Sequence, residues 1–203
     1  MIFFLDFDGV LHPARAYMGR NGPGLDGDGQ LFMWADTLAE LLAGYPHVQI
    51  VLSTSWVRHL PFEQVRDFLP VRLRRRVVGS TWHCIYHDSA YSRNLPLSYW
   101  QESSRYQQVR RWVRLHRLHR WVAIDDDAEG WDESDRPHLV QTQGETGLSD
   151  PATLTRLAEL LRGQPAVEGW LHRRVSPAFD ALKNDPSRIL TPKQVRRRLK
   201  KHE

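Results

Sequence analysis

The sequence predicts an α/β fold with a mostly parallel central sheet, and two observations support that prediction. Short apolar runs alternate along the chain with segments of helical periodicity, which is the order expected of parallel strands and their crossover helices. Two of these runs, Ile2–Leu5 and residues 121–124, lead directly into clusters of aspartates. Because ligands bind beyond the carboxyl ends of the strands in such sheets, the aspartates mark the expected functional edge.

The first half of the chain predicts two buried strands joined by a long loop and a helix. Residues 2–5 are wholly apolar, as expected of a strand covered on both faces. Residues 12–30 are rich in glycine, contain two prolines and lack periodicity, which predicts a loop. Apolar residues at helical spacing predict a helix over 32–43, which ends before Gly44. The next apolar run, 48–52, predicts the second strand.

The second half continues the alternation of strands and helices. The strongest helix prediction covers residues 104–119, where one face is apolar and the other carries arginines. A proline at the first helical position supports a last helix over 151–161. The remaining predictions are a helix over 62–69 and strands at 77–79, 121–124 and 139–141.

Charge and composition restrict the class of protein. No apolar run approaches the length of a membrane span, the N-terminal residues lack the features of a signal peptide, and Cys84 is the sole cysteine, so we expect a cytoplasmic protein. The net charge is +4, yet residues 191–203 alone carry +5, so the rest sums to −1. This basic tail suits contact with nucleic acid or with a protein partner, although such helices are also common as solvated ends.

The polar residues at the strand ends indicate a site for a cation and a phosphate. Asp6 and Asp8 directly follow a buried strand, where paired carboxylates are costly unless a cation such as Mg²⁺ compensates them. A second acidic cluster, 125–127, follows another strand, and two such clusters favour a shared cation over two ordinary turns. Ser53 and Thr54 follow the second predicted strand, 48–52, where hydroxyls and free N–H groups suit either a phosphate or a helix cap.

Four motifs together resemble a known family. In chain order they are LDFDGVLHP, VLSTSWVR, WVAIDDDAEGW and ETGLSD. This set resembles the haloacid-dehalogenase-like (HAD) superfamily of Mg²⁺-dependent phosphohydrolases, and more narrowly the HAD domain associated with Swiss Army Knife RNA repair proteins. The resemblance implies a Rossmann-like three-layer sandwich with a minimal cap over residues 1–163. A basic helical extension would then occupy residues 164–203.

The resemblance also implies roles for the acidic residues. Asp6 would be the nucleophile that forms an aspartyl-phosphate. Asp8 would serve as general acid toward the leaving oxygen and then as general base for water. Mg²⁺ would be held by Asp6, by the backbone carbonyl of Asp8, and by Asp125 or Asp126. The third member of the trio, Asp127, leaves open which of the three carboxylates contacts the metal.

The remaining implied roles concern phosphate binding and the substrate. Ser53, together with the Thr54 amide, would bind a phosphoryl oxygen, and Arg105 would stabilise negative charge, with Arg93 as the alternative basic residue. The predicted activity is a phosphatase acting on a phosphorylated substrate, with polynucleotide ends as the expected substrate class. The alternative is a non-catalytic HAD-fold module that binds nucleic acid or protein. An intact pair of Asp6 and Asp8 favours the enzyme, because a binding module has no chemical need for both.

Overall fold

The computed structural model describes residues 1–20, 22–82 and 102–162, all within the unit Met1–Arg162. The strands are β1 (Ile2–Leu5), β2 (Ala16–Gly19), β3 (Gly22–Leu25), β4 (Gln49–Leu52), β5 (Val77–Ser80), β6 (Trp121–Asp125) and β7 (Leu139–Gln141). The helices are α1 (Ala35–Ala43), α2 (Phe62–Asp67), α3 (Val71–Arg74), α4 (Arg105–Leu115) and α5 (Pro151–Arg162). Arg93 and the predicted extension 164–203 lie outside the described residues, and the predicted domain division stays a prediction.

The central sheet has five strands in the order β5-β4-β1-β6-β7, and every neighbouring pair is parallel. The first strand of the chain therefore lies in the middle, between β4 and β6. Leu5 is paired with Leu52 on one side and with Ile124 on the other. This arrangement confirms the predicted α/β, Rossmann-like fold, in which crossover helices connect parallel strands.

Side chains of β1 alternate between two cores, one on each face of the sheet. Phe3 and Leu5 belong to the larger core, which also contains buried leucines of α1 and α5. Phe4 points to the opposite face, where it joins Val109 and Val113 of α4. Each such side chain contributes about 1.5–3 kcal/mol by leaving water. The continuous apolar run of β1 thus follows from burial on both faces, and the helices form the outer layers.

The predicted loop over 12–30 is partly wrong, because it contains the antiparallel hairpin β2–β3. Its strands are short and only partly buried, so they lack the apolar alternation that predicts strands from sequence. The hairpin ends meet where Ala16 pairs with Leu25, and the turn side closes with Gly19 opposite Gly22. Among the described residues between β1 and α1, this hairpin is the only pair of strands, and the minimal cap stays a prediction.

Three predicted helices are shorter in the structure, and the one predicted over 62–69 ends at Asp67. Residue Phe32 has a φ of 61°, so the chain enters α1 three residues later, at Ala35. Helix α4 begins at Arg105 after Ser104, whose hydroxyl accepts the Gln107 N–H in a capping box. It ends at Leu115, close to Arg117 with its φ of 48°. None of the helices in the described ranges is long and apolar enough to cross a membrane.

Candidate active site

The register of the sheet brings three polar side chains together at its carboxyl edge. Asp6, Ser53 and Asp125 each follow one of the paired positions of β1, β4 and β6. Backbone bonds continue the ladder through this level, since Asp6 N–H donates to the Ile124 carbonyl and Ser53 N–H donates to the Leu5 carbonyl. All three side chains are almost fully buried. The strand ends therefore lie side by side because the pairing of β1 with β4 and β6 continues without interruption to this level.

Asp6, Asp125 and Asp126 form an acidic cluster at this edge. One carboxylate oxygen from each lies within 4.8 Å of the others. Burial raises the pKa of Asp6 to about 6, against the opposing effect of Arg105. Burial and the neighbouring Asp6 raise the pKa of Asp125 well above its ordinary value, and burial also raises the pKa of Asp126. Asp127 differs, because it is exposed and its Oδ1 accepts the Glu129 N–H.

Arg105 only partly compensates this negative charge. Its Nη2 lies 3.6 Å from Asp6 Oδ2, and its Nε lies 3.6 Å from Asp125 Oδ2. Burial is the largest single effect and lowers the pKa of Arg105, but the neighbouring carboxylates of Asp6, Asp125, Asp8 and Asp126 together outweigh it, so the net pKa is raised. One guanidinium thus faces a cluster of three carboxylates. An all-oxygen donor set with excess negative charge fits a hard divalent cation such as Mg²⁺.

Asp8 lies in different surroundings from the acidic cluster. His12 Nε2 is 3.1 Å from Asp8 Oδ1, and Trp56 Nε1–H donates to both carboxylate oxygens, at 3.0 and 3.1 Å. The Asp8 side chain is 27% exposed, whereas His12 is fully buried. Binding of Mg²⁺ by the Asp8 backbone carbonyl stays a prediction. The sequence analysis missed both partners, although His12 and Trp56 lie within the quoted motifs LDFDGVLHP and VLSTSWVR.

Ser53 and Thr54 are both buried but differ in their hydrogen bonding. Thr54 Oγ1 accepts the Trp56 N–H at 3.4 Å and caps the short 3₁₀ turn Ser55–Arg58. Ser53 Oγ has no hydrogen-bond partner among the described residues. A buried hydroxyl without a partner is costly, so it is expected where a ligand supplies the missing bond. The capping interpretation holds for the Thr54 side chain, and Ser53 remains available to a phosphoryl oxygen.

The loop after β1 is held by a hydrogen bond from the residue that follows the edge strand β7. Thr142, the residue after β7, donates from Oγ1 to the Gly9 carbonyl at 2.7 Å. Gly9 has a φ of 66°, and a Cβ at this position would lie 2.5 Å from Asp126 Oδ2. Glycine therefore allows the first aspartate loop to approach the second one closely. Thr142 was not among the predicted site residues, since a contact over 133 positions leaves no local pattern.

A cavity of about 140 Å³ opens beside Arg105. A second guanidinium, that of Arg58, also lines this cavity and lies 4.9 Å from the centre of the Trp82 ring. Arg58 is exposed, and this is a cation–π contact. The residues around the cavity are Thr54, Ser55, Arg58, Ser103, Arg105, Gln108 and Asp127.

Together, the parallel sheet and the acidic edge define an α/β protein with a cluster of carboxylates at the carboxyl ends of its strands, where proteins of this architecture bind their ligands. A comparison with family models then makes the assignment specific. The chain belongs to the family described as the HAD domain in Swiss Army Knife RNA repair proteins, whose model matches residues 2–153. Membership indicates a HAD-type phosphatase family, and such families typically use Mg²⁺. Neither curated proteins nor solved structures gave a significant match.

Proposed function

We propose that the protein is a Mg²⁺-dependent phosphohydrolase that works through an aspartyl-phosphate on Asp6. The observation that carries this proposal is the meeting of a buried nucleophile, an unpaired hydroxyl and a guanidinium at one sheet edge. Asp6, Ser53 and Arg105 are the residues concerned. Phosphoryl transfer to a protein needs an oxygen that attacks phosphorus, a hydrogen-bond donor to the phosphoryl oxygens and a positive charge that compensates them. A purely structural role for these three side chains would not explain why the buried Ser53 hydroxyl has no hydrogen-bond partner among the described residues.

In the proposed reaction, an Asp6 oxygen attacks phosphorus and the bond to the leaving oxygen breaks. Ser53 Oγ–H and the Arg105 guanidinium hold the phosphoryl oxygens, while Asp8 donates a proton to the leaving oxygen. Asp8 then removes a proton from the water that hydrolyses the aspartyl-phosphate. Mg²⁺, held by Asp6, by Asp125 or Asp126, and by the Asp8 carbonyl, would supply charge neutralisation when bound. Burial raises the pKa of Asp6 to about 6 in the metal-free protein, so this carboxylate is mainly ionised there above that pH.

We further propose that the substrate is the phosphorylated end of a polynucleotide. Arg58 supports this choice, because it lines the same cavity as Arg105 and carries a second positive charge toward the site. A polynucleotide presents a second phosphate next to the terminal one, whereas a simple metabolite monophosphate does not. The basic tail, residues 191–203, adds a further expected contact with the nucleic-acid backbone. The family description, which refers to RNA repair proteins, agrees with this substrate class.

The test measures phosphate release from 5′- and 3′-phosphorylated oligonucleotides and from p-nitrophenyl phosphate, with and without Mg²⁺. We expect Mg²⁺-dependent release that Asp6→Asn abolishes. Asp36→Asn is the matched control, because Asp36 is exposed on α1, and it should retain full activity. Acid quenching with ³²P-labelled substrate should trap a hydroxylamine-sensitive label on the wild type and none on Asp6→Asn.

Two results would decide against this function. Turnover that persists in Asp6→Asn would exclude the aspartyl-phosphate route. Failure to release phosphate from any substrate, with the protein folded and Mg²⁺ bound, would favour the non-catalytic HAD-fold binding module.

Arg58→Ala tests the substrate class separately from the reaction, because it should weaken oligonucleotide turnover more than turnover of p-nitrophenyl phosphate. Equal effects on both substrates would exclude Arg58 as a contact for the neighbouring phosphate.

A further inference from the structure

We propose that Trp56 and His12 are positioning residues that orient the Asp8 carboxylate and leave Oδ2 as its proton-exchanging oxygen. This inference rests on the proposed function, because it assigns the geometry of the general acid in that reaction. It concerns side chains outside the acidic cluster of Asp6, Asp125 and Asp126. Neither Trp56 nor His12 has another role in the site described above.

The hydrogen bonds around His12 determine its tautomer. The Phe32 backbone N–H donates to His12 Nδ1 at 3.3 Å, so Nδ1 must be the acceptor. The neutral imidazole then carries its proton on Nε2, which lies 3.1 Å from Asp8 Oδ1. His12 therefore donates to Asp8. The left-handed φ of Phe32, 61°, belongs to the turn that places this N–H opposite the imidazole.

The two donors do not use the Asp8 oxygens equally. Oδ1 receives His12 Nε2–H and a share of Trp56 Nε1–H, at 3.1 and 3.0 Å. Oδ2 receives only the other share of the indole N–H, at 3.1 Å, among the described residues. A carboxylate oxygen accepts about two hydrogen bonds, so Oδ1 is close to saturated and Oδ2 retains a free lone pair. Proton exchange with a ligand is therefore assigned to Oδ2.

The donors are held rigidly, whereas Asp8 itself reaches the solvent-facing side. The Trp56 ring is 4% exposed and packs edge-to-face against Phe7, Phe32 and Phe68. Its backbone N–H is bound by the Thr54 hydroxyl. A donor fixed by packing keeps an acceptor in one orientation, which reduces the entropy lost at the transition state. The Asp8 carboxylate is thus held in one orientation, while 27% of its side chain remains exposed.

The proton balance of the step follows from this orientation. When the bond between phosphorus and the leaving oxygen breaks, the proton on Asp8 Oδ2 passes to that oxygen, and Asp8 becomes a carboxylate. During hydrolysis of the aspartyl-phosphate, water loses a proton to the same Oδ2 while its oxygen bonds to phosphorus. The bond between phosphorus and the Asp6 oxygen breaks, which releases phosphate and restores the Asp6 carboxylate. Asp8 is then protonated again for the next cycle. His12 and Trp56 keep their protons throughout.

Kinetics of Trp56→Phe test this role. Loss of acid positioning matters most for a poor leaving group, so we expect kcat/KM to fall about 10- to 100-fold for an alkyl phosphate. It should fall less than about 3-fold for p-nitrophenyl phosphate, whose leaving group needs little protonation. Trp131→Phe is the matched control, since that indole is also buried but has no hydrogen-bond partner among the described residues. Equal losses for both esters in Trp56→Phe would overturn the inference.

His12 provides a second variant with a built-in rescue. His12→Phe should reproduce the leaving-group dependence of Trp56→Phe, because it removes the donor to Oδ1. His12→Gln carries an amide N–H at a similar distance along the side chain and should restore much of the lost kcat/KM for the alkyl ester. A His12→Gln variant as impaired as His12→Phe, although equally stable, would contradict a donor role for the imidazole.

An activity-independent measurement separates this inference from the proposed function. In ¹⁵N spectra of the metal-free chain of 203 residues, the Trp56 indole resonance is identified by its loss in Trp56→Phe. It should shift in Asp8→Ala, while the Trp131 indole resonance stays in place. If the wild type releases no phosphate but the Trp56 resonance shifts, the proposed function fails and the orientation of Asp8 stands. A Trp56 resonance that does not respond to Asp8→Ala overturns the inference whatever the activity.

Discussion

Replacement of Thr142 by valine should loosen the first aspartate loop without changing the volume of the core. The Thr142 hydroxyl donates to the Gly9 carbonyl at 2.7 Å, and Thr142 is 2% exposed. Valine has nearly the same shape but cannot donate, so the Gly9 carbonyl would lose this bond in a place that water reaches poorly. Gly9 follows Asp8 directly, and the loss therefore falls on the loop that carries the proposed acid.

The magnitude follows from the cost of an unsatisfied buried acceptor. Removal of one partner of such a bond costs about 1–3 kcal/mol, and we expect about 2 kcal/mol in the free energy of unfolding. For a folded unit of this size, each kcal/mol lowers Tm by about 2–4 °C, so the predicted decrease is about 4–8 °C. Because the loop also approaches Asp126, Mg²⁺ affinity should fall in the same variant.

Urea denaturation of Thr142→Val and the wild type measures this difference, and calorimetric titration with Mg²⁺ measures the second effect. Thr155→Val is the matched control, since the exposed Thr155 hydroxyl donates to the Pro151 carbonyl at 2.8 Å, where water can replace it. Its free energy of unfolding should change by less than about 0.5 kcal/mol. A Thr142→Val variant as stable as Thr155→Val would refute the reasoning.

Two further predictions concern the acidic edge. Gly9→Ala should lower the free energy of unfolding by about 1–2 kcal/mol, because alanine is strained at the φ of 66° found there. The added Cβ should also displace Asp126, so Mg²⁺ affinity should fall. Gly44→Ala, at a φ of −72°, should fold normally in the same urea assay. Native Asp6 retains its proton up to about pH 6, while the unfolded chain releases it near its ordinary 3.8, so the metal-free protein should lose stability as pH rises through this window. Thermal scans at pH 4, 5, 6 and 7 should show a smaller loss in Asp6→Asn, and equal slopes in both proteins would contradict this assignment.

The inner strands β1, β4 and β6 were predictable because most of their residues are buried on both faces of the sheet. A strand such as β1 is apolar at every position, and the polar residues that follow it stand out against that background. The same contrast led to Asp6, Ser53 and Asp125, which the register then places side by side. The family resemblance implies Arg105 as the basic residue, and the structure puts it beside two carboxylates.

Other features left no pattern in the sequence. The hairpin β2–β3 is held by backbone bonds between glycine-rich, half-exposed strands, so its side chains do not alternate in polarity. Nothing in the local sequence distinguishes His12 and Trp56 from other buried residues. Their role depends on the one ring nitrogen that each directs at Asp8. The separation of 48 positions between Trp56 and Asp8 is bridged by tertiary packing, which local periodicity does not report.

The unbroken pairing of β1 with both neighbours also restricts how the chain can vary in length. Each residue advances a strand by about 3.3 Å and reverses the face of the next side chain. One residue inserted within β4 would therefore carry Ser53 away from Asp6 and turn it toward a core. Insertions in the loops that follow these strands change no pairing. Homologous chains should accordingly differ in length between the strands while β1, β4 and β6 keep theirs.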